Sequence, residues 1–421
     1  MADNVTAPRI PIFYGWFVVA AVFAITFVGF GNAYSFGAFL PSLQHDFSAS
    51  RGSVSLVFSL AGFFYFGLGV ISGPLADRWG CRPLAVTGMV LVAIGLALAS
   101  VARSLTEVYA AYGLGVGLGI GCAYAPAVAA VQRWFNRRRG FASGLAVSGI
   151  GVGTLVAPPA VAFLIEHLGW RGTYLALGIF TLVVGAGMAS LIEDDPRGRG
   201  LAADGETLSS DARPAPVAKA GVRSVVTSPR FIGLYGACFI CSFGLFVPFV
   251  HLVPYALDHG IPQASGVLLI GAIGVGSTAG RFLLGDLADR LGRAFSFLVM
   301  FVGMGLSFAI WLFATSFWPL AAFALIFGIF YGGFVALAPA IVIDYFGARN
   351  ASSIIGILYT SVALGTLIGP SAAGYAFDLS HSYTLPILAS GSAYALATAI
   401  LALTANAPLA KEDAGNRLRL Q

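Results

Sequence analysis

The chain has 421 residues, 58% of them hydrophobic and only 10% charged, with a formal net charge of +5. A water-soluble protein carries roughly a quarter of its residues as Asp, Glu, Lys and Arg, so this chain cannot cover a globular surface in water; a bilayer is the solvent that suits it. Its basic residues are scattered over short loops and form no patch, which excludes a nucleic-acid partner.

In chain order, the apolar runs predict twelve spanning helices, each close to the about 20 residues a bilayer requires. They cover residues 13–40, 53–74, 83–102, 107–132, 141–165, 172–192, 230–257, 263–285, 295–315, 317–343, 352–377 and 385–405. The first run is too long for the core of a cleaved leader and has no cleavage pattern, so it reads as a span that is kept. Residues 193–229 interrupt the series. They contain GETLSSDARPAPVAKAG, polar, Pro-rich and of mixed charge, which is the composition of a flexible linker. The predicted organisation is an N-terminal six-helix bundle over 1–192, a cytoplasmic linker over 193–229 and a C-terminal six-helix bundle over 230–421.

Of the 23 basic residues, only Arg51, Arg103 and Arg171 fall in loops on one side, and Arg281 falls inside a span; the others lie on the opposite side. Basic loops stay in the cytoplasm. Both termini are therefore expected there, in a multi-pass protein of the cell (inner) membrane.

Several motifs are declined. Cys238 and Cys241 stand one helical turn apart, but no further ligand follows at zinc spacing, so they read as small apolar helix residues. Span 4 has glycine at every second position from Gly113 to Gly121. No strand precedes them, which favours close helix packing over a nucleotide loop. There is no Walker lysine, nucleophile elbow or metal-ligand cluster. No cofactor, metal or enzymatic activity is expected.

An internal repeat is visible. GPLADRWGCR after span 2 returns as GDLADRLGRA after span 8, with Leu75 answering Leu287, 212 positions on. RWFNRRRGFASGLAVSGIGVGTLVAPP returns more faintly as DYFGARNASSIIGILYTSVALGTLIGP, with Trp134 answering Tyr345 at 211. Two motifs at nearly one offset indicate duplication in a single orientation, the arrangement of parallel six-helix halves. The stretch from Gly73 through Asp77, Arg78 and Arg82 resembles the loop 2–3 signature of the major facilitator superfamily, and Gly285, Asp289, Arg290, Gly292 and Arg293 keep it in the second copy. The resemblance implies an all-α membrane protein of that fold, with these residues gating its conformation. Physically, Asp77 can cap a helix N-terminus while the arginines hold carboxylates or lipid phosphates.

A narrower resemblance comes from Trp134-Phe135-Asn136-Arg137-Arg138-Arg139-Gly140-Phe141-Ala142-Ser143-Gly144-Leu145-Ala146, and from Tyr14-Gly15-Trp16 at the entry of span 1. Both are similar to the monocarboxylate transporter family and its bacterial oxalate/formate-exchanger relatives.

Arg281 is the residue with the sharpest reading. Depth alone allows a snorkelling arginine at the headgroups. The helix face argues otherwise: Gly274, Ser277, Thr278, Arg281 and Gly285 form one stripe, with Ile273, Phe282 and Leu283 opposite. Small and polar residues face other helices, so Arg281 is expected to point into the protein or a water-filled cavity. The resemblance implies that a span 8 arginine holds the substrate carboxylate, and a planar guanidinium suits a bidentate grip. No lysine lies in any span, and span 11 lacks the second cation the resemblance implies for oxalate exchangers. A doubly charged anion would leave one charge unpaired, which favours a monoanion such as lactate or pyruvate.

The resemblance also implies an aspartate one turn before that arginine, where this chain has Ser277. Asp258 and His251, in the Pro-broken end of span 7, are the substitute proton carriers; an outer-loop carboxylate and a cavity histidine are their plainer alternatives. Asn32, Tyr34, Tyr124, Tyr331 and Tyr359 are polar tips in apolar helices and candidate cavity residues, and Leu145 is a candidate apolar wall. The expectation is a proton-coupled symporter of a small monocarboxylate, acting as a monomer among membrane lipids. An oxalate/formate-type anion antiporter and an efflux pump for apolar compounds, the latter prompted by 34 phenylalanines, are the alternatives.

Overall fold

A computed structural model describes residues 13–135, 137–205, 222–346 and 351–404. The spans are helical, as they must be where no water is available to satisfy backbone groups. Helix α1 covers Gly15–Phe47 as two segments, Gly15–Tyr34 and Phe36–Phe47, that meet at Ser35. It is followed by α2, Arg51–Ala76; α3, Cys81–Ser100; and α4, Leu105–Trp134. Phe141–Ala189 is a single hydrogen-bonded run of 49 residues. At 1.5 Å per residue it would be about 70 Å long, over twice the apolar thickness of a bilayer. Gly169, at φ +66°, breaks it, in a backbone region that glycine enters at little cost. The run is therefore two spans, α5 over 141–168 and α6 over 170–189. The second half contains α7, Pro229–Asp258; α8, Gln263–Leu291; α9, Arg293–Phe313; α10, Phe317–Phe346; α11, Ala351–Ser380; and α12, Thr384–Thr404. Among the described residues, eleven long apolar helices thus make twelve passes.

The duplication is visible in the backbone. Gly80, after the helix that completes α2, and Gly292, after α8, are 212 residues apart, and both hold φ at +91°. Each allows a sharp reversal into the next helix. Helix α1 outlasts its expected span by seven residues. Its polar end, Gln44-His45-Asp46, is anchored on α6, because Asp46 accepts hydrogen bonds from Trp170 Nε1 (2.8 Å) and Arg171 (2.7 Å).

Glycine sets the closest helix pairs. In α8, Gly276 and Gly280 abut the backbone of α10 at Leu325 and Ile329; in α10, Gly328 and Gly332 abut α8 at Ile273 and Ser277. Small residues four apart on both helices let the backbones touch. The alternate glycines of α4 serve two neighbours: Gly113, Gly117 and Gly121 meet α2, while Gly115 and Gly119 meet α3.

The halves meet along three helix pairs. Helix α1 lies on α7, with Gly37 against the carbonyls of Phe249 and Val250. Helix α2 lies on α11, with Gly52 against Gly374 and Tyr375, Gly62 against Thr366, and Val70 against Gly356. Helix α5 lies on α8, with Gly151 against Gly274 and Thr278. Part of the expected linker is described. Trp134 Nε1 donates to the Glu193 carbonyl at 2.7 Å, Asp194 accepts from the Cys81 amide, and Arg199 grips Glu193 through two hydrogen bonds of 2.7 Å. Those bonds hold the Glu193 carboxyl below the usual carboxylate range. Residues 206–221 lie outside the described set.

Candidate functional site

A small chamber of about 40 Å³ lies between the halves. The first half contributes Phe30 and Tyr34 from α1, Phe66 from α2, Tyr124 from α4 and Ile150 from α5. The second contributes Leu245 and Phe246 from α7, Arg281 from α8, Tyr331, Phe334, Val335 and Ala338 from α10, and Tyr359 and Val362 from α11. Such a volume holds a few water molecules at most, so an organic acid enters only if the walls part.

Arg281 crosses the interface: its Nη1 donates to the Val147 carbonyl of α5 at 2.8 Å. Its Nε and Nη2 are buried and have no hydrogen-bond partner. A permanently charged group in that condition is costly unless something accepts from it. The glycine contacts place it. Arg281 follows Gly280, and Tyr331 precedes Gly332, so the α8–α10 pairing sets both side chains on one wall. Tyr34 and Tyr331 share a hydrogen bond of 3.0 Å across the interface. Tyr34 packs against Phe249 of α7 at 4.5 Å between ring centres. The chamber thus offers one cation, four tyrosines and otherwise apolar carbon.

Arg281, Tyr331, Tyr124 and Tyr359 all lie on the lining of this one chamber. Other expectations require correction. Asn32 is buried but faces away: Nδ2 donates to Thr181 at 2.9 Å, while its backbone carbonyl accepts from Tyr112. Phe30 and Tyr34, four apart, share the chamber face of α1, and residue 32 is on the other side. Leu145 is 38% exposed and outside the lining; Ile150, about 140° further round α5, takes the wall. Ile273, expected on the lipid side, is fully buried against Gly328 of α10, whereas Phe282 and Leu283 are outward. The stripe on α8 also divides, with Gly274 and Thr278 meeting α5 and Ser277 meeting α10.

Asp258 and His251 do not line the chamber. Asp258 ends α7, where both its oxygens accept from Arg51, the first residue of α2, at 2.6 and 2.7 Å. His251 is fully buried nearby. Its Nε2 donates to the Pro370 carbonyl at 2.8 Å, and its Nδ1 lies 3.1 Å from Tyr383 Oη. A carbonyl only accepts, so this fixes the tautomer. Among the gating residues, Gly73 has open space around its Cα, and Arg78, Arg82 and Arg290 are exposed. The side chains of Asp77 and Asp289 lie outside the described set. Sequence reasoning missed Phe30, Phe66, Phe246 and Phe334, and the contacts that Arg51 and Tyr383 make with Asp258 and His251. Phe30 alone had a local signal, its i, i+4 relation to Tyr34.

Twelve helices in two tandem repeats around a charged chamber define a secondary transporter, and comparison with known proteins bears on which kind. The family model described as Major Facilitator Superfamily matches residues 22–304 and, in a second match, 268–420. Monocarboxylate transporter 12-B of Danio rerio is 32% identical over 404 residues, with 90% of this chain and 84% of that protein covered. Monocarboxylate transporter 3 of Rattus norvegicus is 31% identical over 396 residues, covering 93% and 80%. Among solved structures, a bacterial homolog of the human lysosomal transporter Spinster, inward-facing and unoccupied, superposes with a TM-score of 0.67 at 18% identity, covering 93% of this chain and 94% of that one. The chain belongs to the major facilitator superfamily and, within it, to the monocarboxylate transporter family.

Proposed function

We propose that the protein is a proton-coupled symporter of a small monocarboxylate, L-lactate or pyruvate. It works by alternating access between the bundles 1–192 and 230–421, joined by the linker 193–229, with both termini on the cytoplasmic side of the cell (inner) membrane. The observation that carries this reading is the pair of buried Arg281 nitrogens, Nε and Nη2, without a protein partner. They form one edge of the guanidinium fork, and a carboxylate accepts two parallel hydrogen bonds from such an edge. The surrounding apolar and tyrosine wall suits a short carbon chain bearing one hydroxyl or keto group, and the single cation suits one negative charge. Tyr124, Tyr331 and Tyr359 complete the substrate wall. Asp258 or His251 carries the proton, and the loops around Gly73–Arg82 and Asp289–Arg290 gate the face that carries the termini.

The test is uptake of radiolabelled lactate, pyruvate, formate and oxalate into proteoliposomes, with and without an inward proton gradient. Lactate and pyruvate should accumulate, and acidification outside should accelerate them. Arg281→Gln should lower uptake at least about 30-fold, in keeping with the roughly 2–5 kcal/mol lost on truncating a buried charged partner. Arg281→Lys keeps the charge but not the fork and should mainly raise KM. Counterflow of oxalate without any proton gradient would overturn the symport reading in favour of exchange.

A further inference from the structure

The partner that Arg281 finds in the opposite half exists because α5 is broken. The first segment of that helix, Arg139–Val147, ends at Ser148, and the second starts at Gly149. The last four carbonyls of a helical segment have no partner within it, and here each is answered from elsewhere. The Gly144 carbonyl accepts from the Ser148 amide at 2.9 Å, and the Leu145 carbonyl from Ser148 Oγ at 2.7 Å. The Ala146 carbonyl accepts from Thr26 Oγ1 of α1 at 2.9 Å, and the Val147 carbonyl from Arg281 Nη1 of α8 at 2.8 Å. The break is pinned by its own half and presents its last carbonyl to the other. The glycines that follow let both neighbours approach: Gly149 abuts Phe23 and Thr26, and Gly151 abuts Gly274 and Thr278. Ile150, between them, lines the chamber.

We infer that Thr26 is a positioning residue of the anion site, acting on Arg281 through the Val147 carbonyl. This role rests on the assignment of Arg281 to the substrate carboxylate made above, and it adds what the first half contributes. A guanidinium sits on a flexible stem, and two parallel hydrogen bonds to a carboxylate require its edge at a fixed angle. The bond from Nη1 to Val147 fixes that plane and leaves the Nε–Nη2 edge, which has no protein partner, for the anion. Carbonyls at the C-terminal end of a helical segment carry partial negative charge, so Val147 also suits a cation. The carbonyl is available only while the break persists. A Ser-Gly pair permits a kink, and Thr26 holds it. Thr26 is buried, and its Oγ1 is shared between the Phe23 and Ala146 carbonyls at 3.0 and 2.9 Å. Without that hydroxyl the Ala146 carbonyl is buried and unpaired, which is costly. The direct remedy is to close the turn onto the Ile150 amide, four residues on. That closure draws Val147 onto the Gly151 amide and off Arg281. Thr26 does not line the chamber, so it reaches the anion only through this relay.

Uptake of radiolabelled lactate into proteoliposomes, under one fixed inward proton gradient, gives KM and maximal rate for the parent, Thr26→Val, Arg281→Lys and the double variant. Thr26→Val keeps the branched shape and drops the hydroxyl. It should raise KM about fivefold, the scale of one net hydrogen bond, with the maximal rate within about twofold of the parent. Thr26→Ser restores the hydroxyl and should restore the parent KM. In the Arg281→Lys background there is no fork to orient, so Thr26→Val should add less than about twofold to KM. A parent KM in Thr26→Val, or the same rise in both backgrounds, would overturn the role of Thr26 and leave Arg281 as the anion's partner. A parent KM in Arg281→Lys would overturn the anion site itself, and the role of Thr26 with it. Should Thr26→Val not fold, Thr26→Ala removes the same hydroxyl without crowding Gly149 and is judged by the same criteria.

Discussion

Tyr34 and Tyr331 meet by their hydroxyls at the chamber between the halves, one from each half. Two hydroxyls sharing one hydrogen bond leave one proton free to point elsewhere, so the pair can serve a ligand without parting. Tyr34→Phe and Tyr331→Phe should each cost about 0.5–1.5 kcal/mol of inter-half stability, the usual net worth of such a bond. The double variant should cost little more than either alone, as a double-mutant cycle on thermal unfolding in detergent would read. The residues legible in the sequence were those whose chemistry is out of place. A guanidinium or phenol in an apolar helix stands out, and Arg281, Tyr124, Tyr331 and Tyr359 were found that way. Asn32 stood out equally and was misplaced, because polarity marks a residue without saying which face it occupies. The chamber's phenylalanines were invisible for the opposite reason: four among 34 carry no local mark.

Helix α8 is positioned by glycine more than by its polar residues. A methyl at Gly280 would overlap the Ile329 carbonyl, and one at Gly332 the Ser277 carbonyl. Backbone cannot rotate aside as a side chain can, so the helices must separate. Gly280→Ala should destabilise the protein by about 1–3 kcal/mol, the range for overpacking, and should reduce uptake more than its loss of stability explains, because Arg281 and Tyr331 shift with the helices. Thermal unfolding and uptake per folded molecule distinguish the two effects. The glycine pattern of α4 was legible as close packing. Its partition between α2 and α3 was not, since an alternation every second residue says that two faces are small and nothing about what meets them.

At the scale of the whole molecule, twelve passes and the duplication followed from composition and from an offset that recurs at Gly80 and Gly292. The relative placement of the halves did not, because no local pattern links residue 51 to residue 258 or residue 62 to residue 366. The contact between α2 and α11 is where this matters most. Ser59 and Ser371 face each other across it, so cysteines at both positions should join under mild oxidant. Transport by rigid halves requires this seam to open, so the cross-linked protein should lose uptake and regain it on reduction. Uptake that persists with the bond formed would mean that the seam stays shut throughout the cycle.

The glycine-tight pairing of α8 with α10 carries a consequence for what moves. Arg281 and Tyr331 are bolted to one rigid piece, and Tyr359 belongs to the same half. Tyr34, Tyr124 and the Val147 carbonyl belong to the other. On the proposed reading the anion rides with its cation, and the opposite wall swings toward and away from it. A fluorescent or spin label beside Arg281 should keep a fixed separation from one on α10 through turnover, while its separation from a label on α4 oscillates with each cargo delivered.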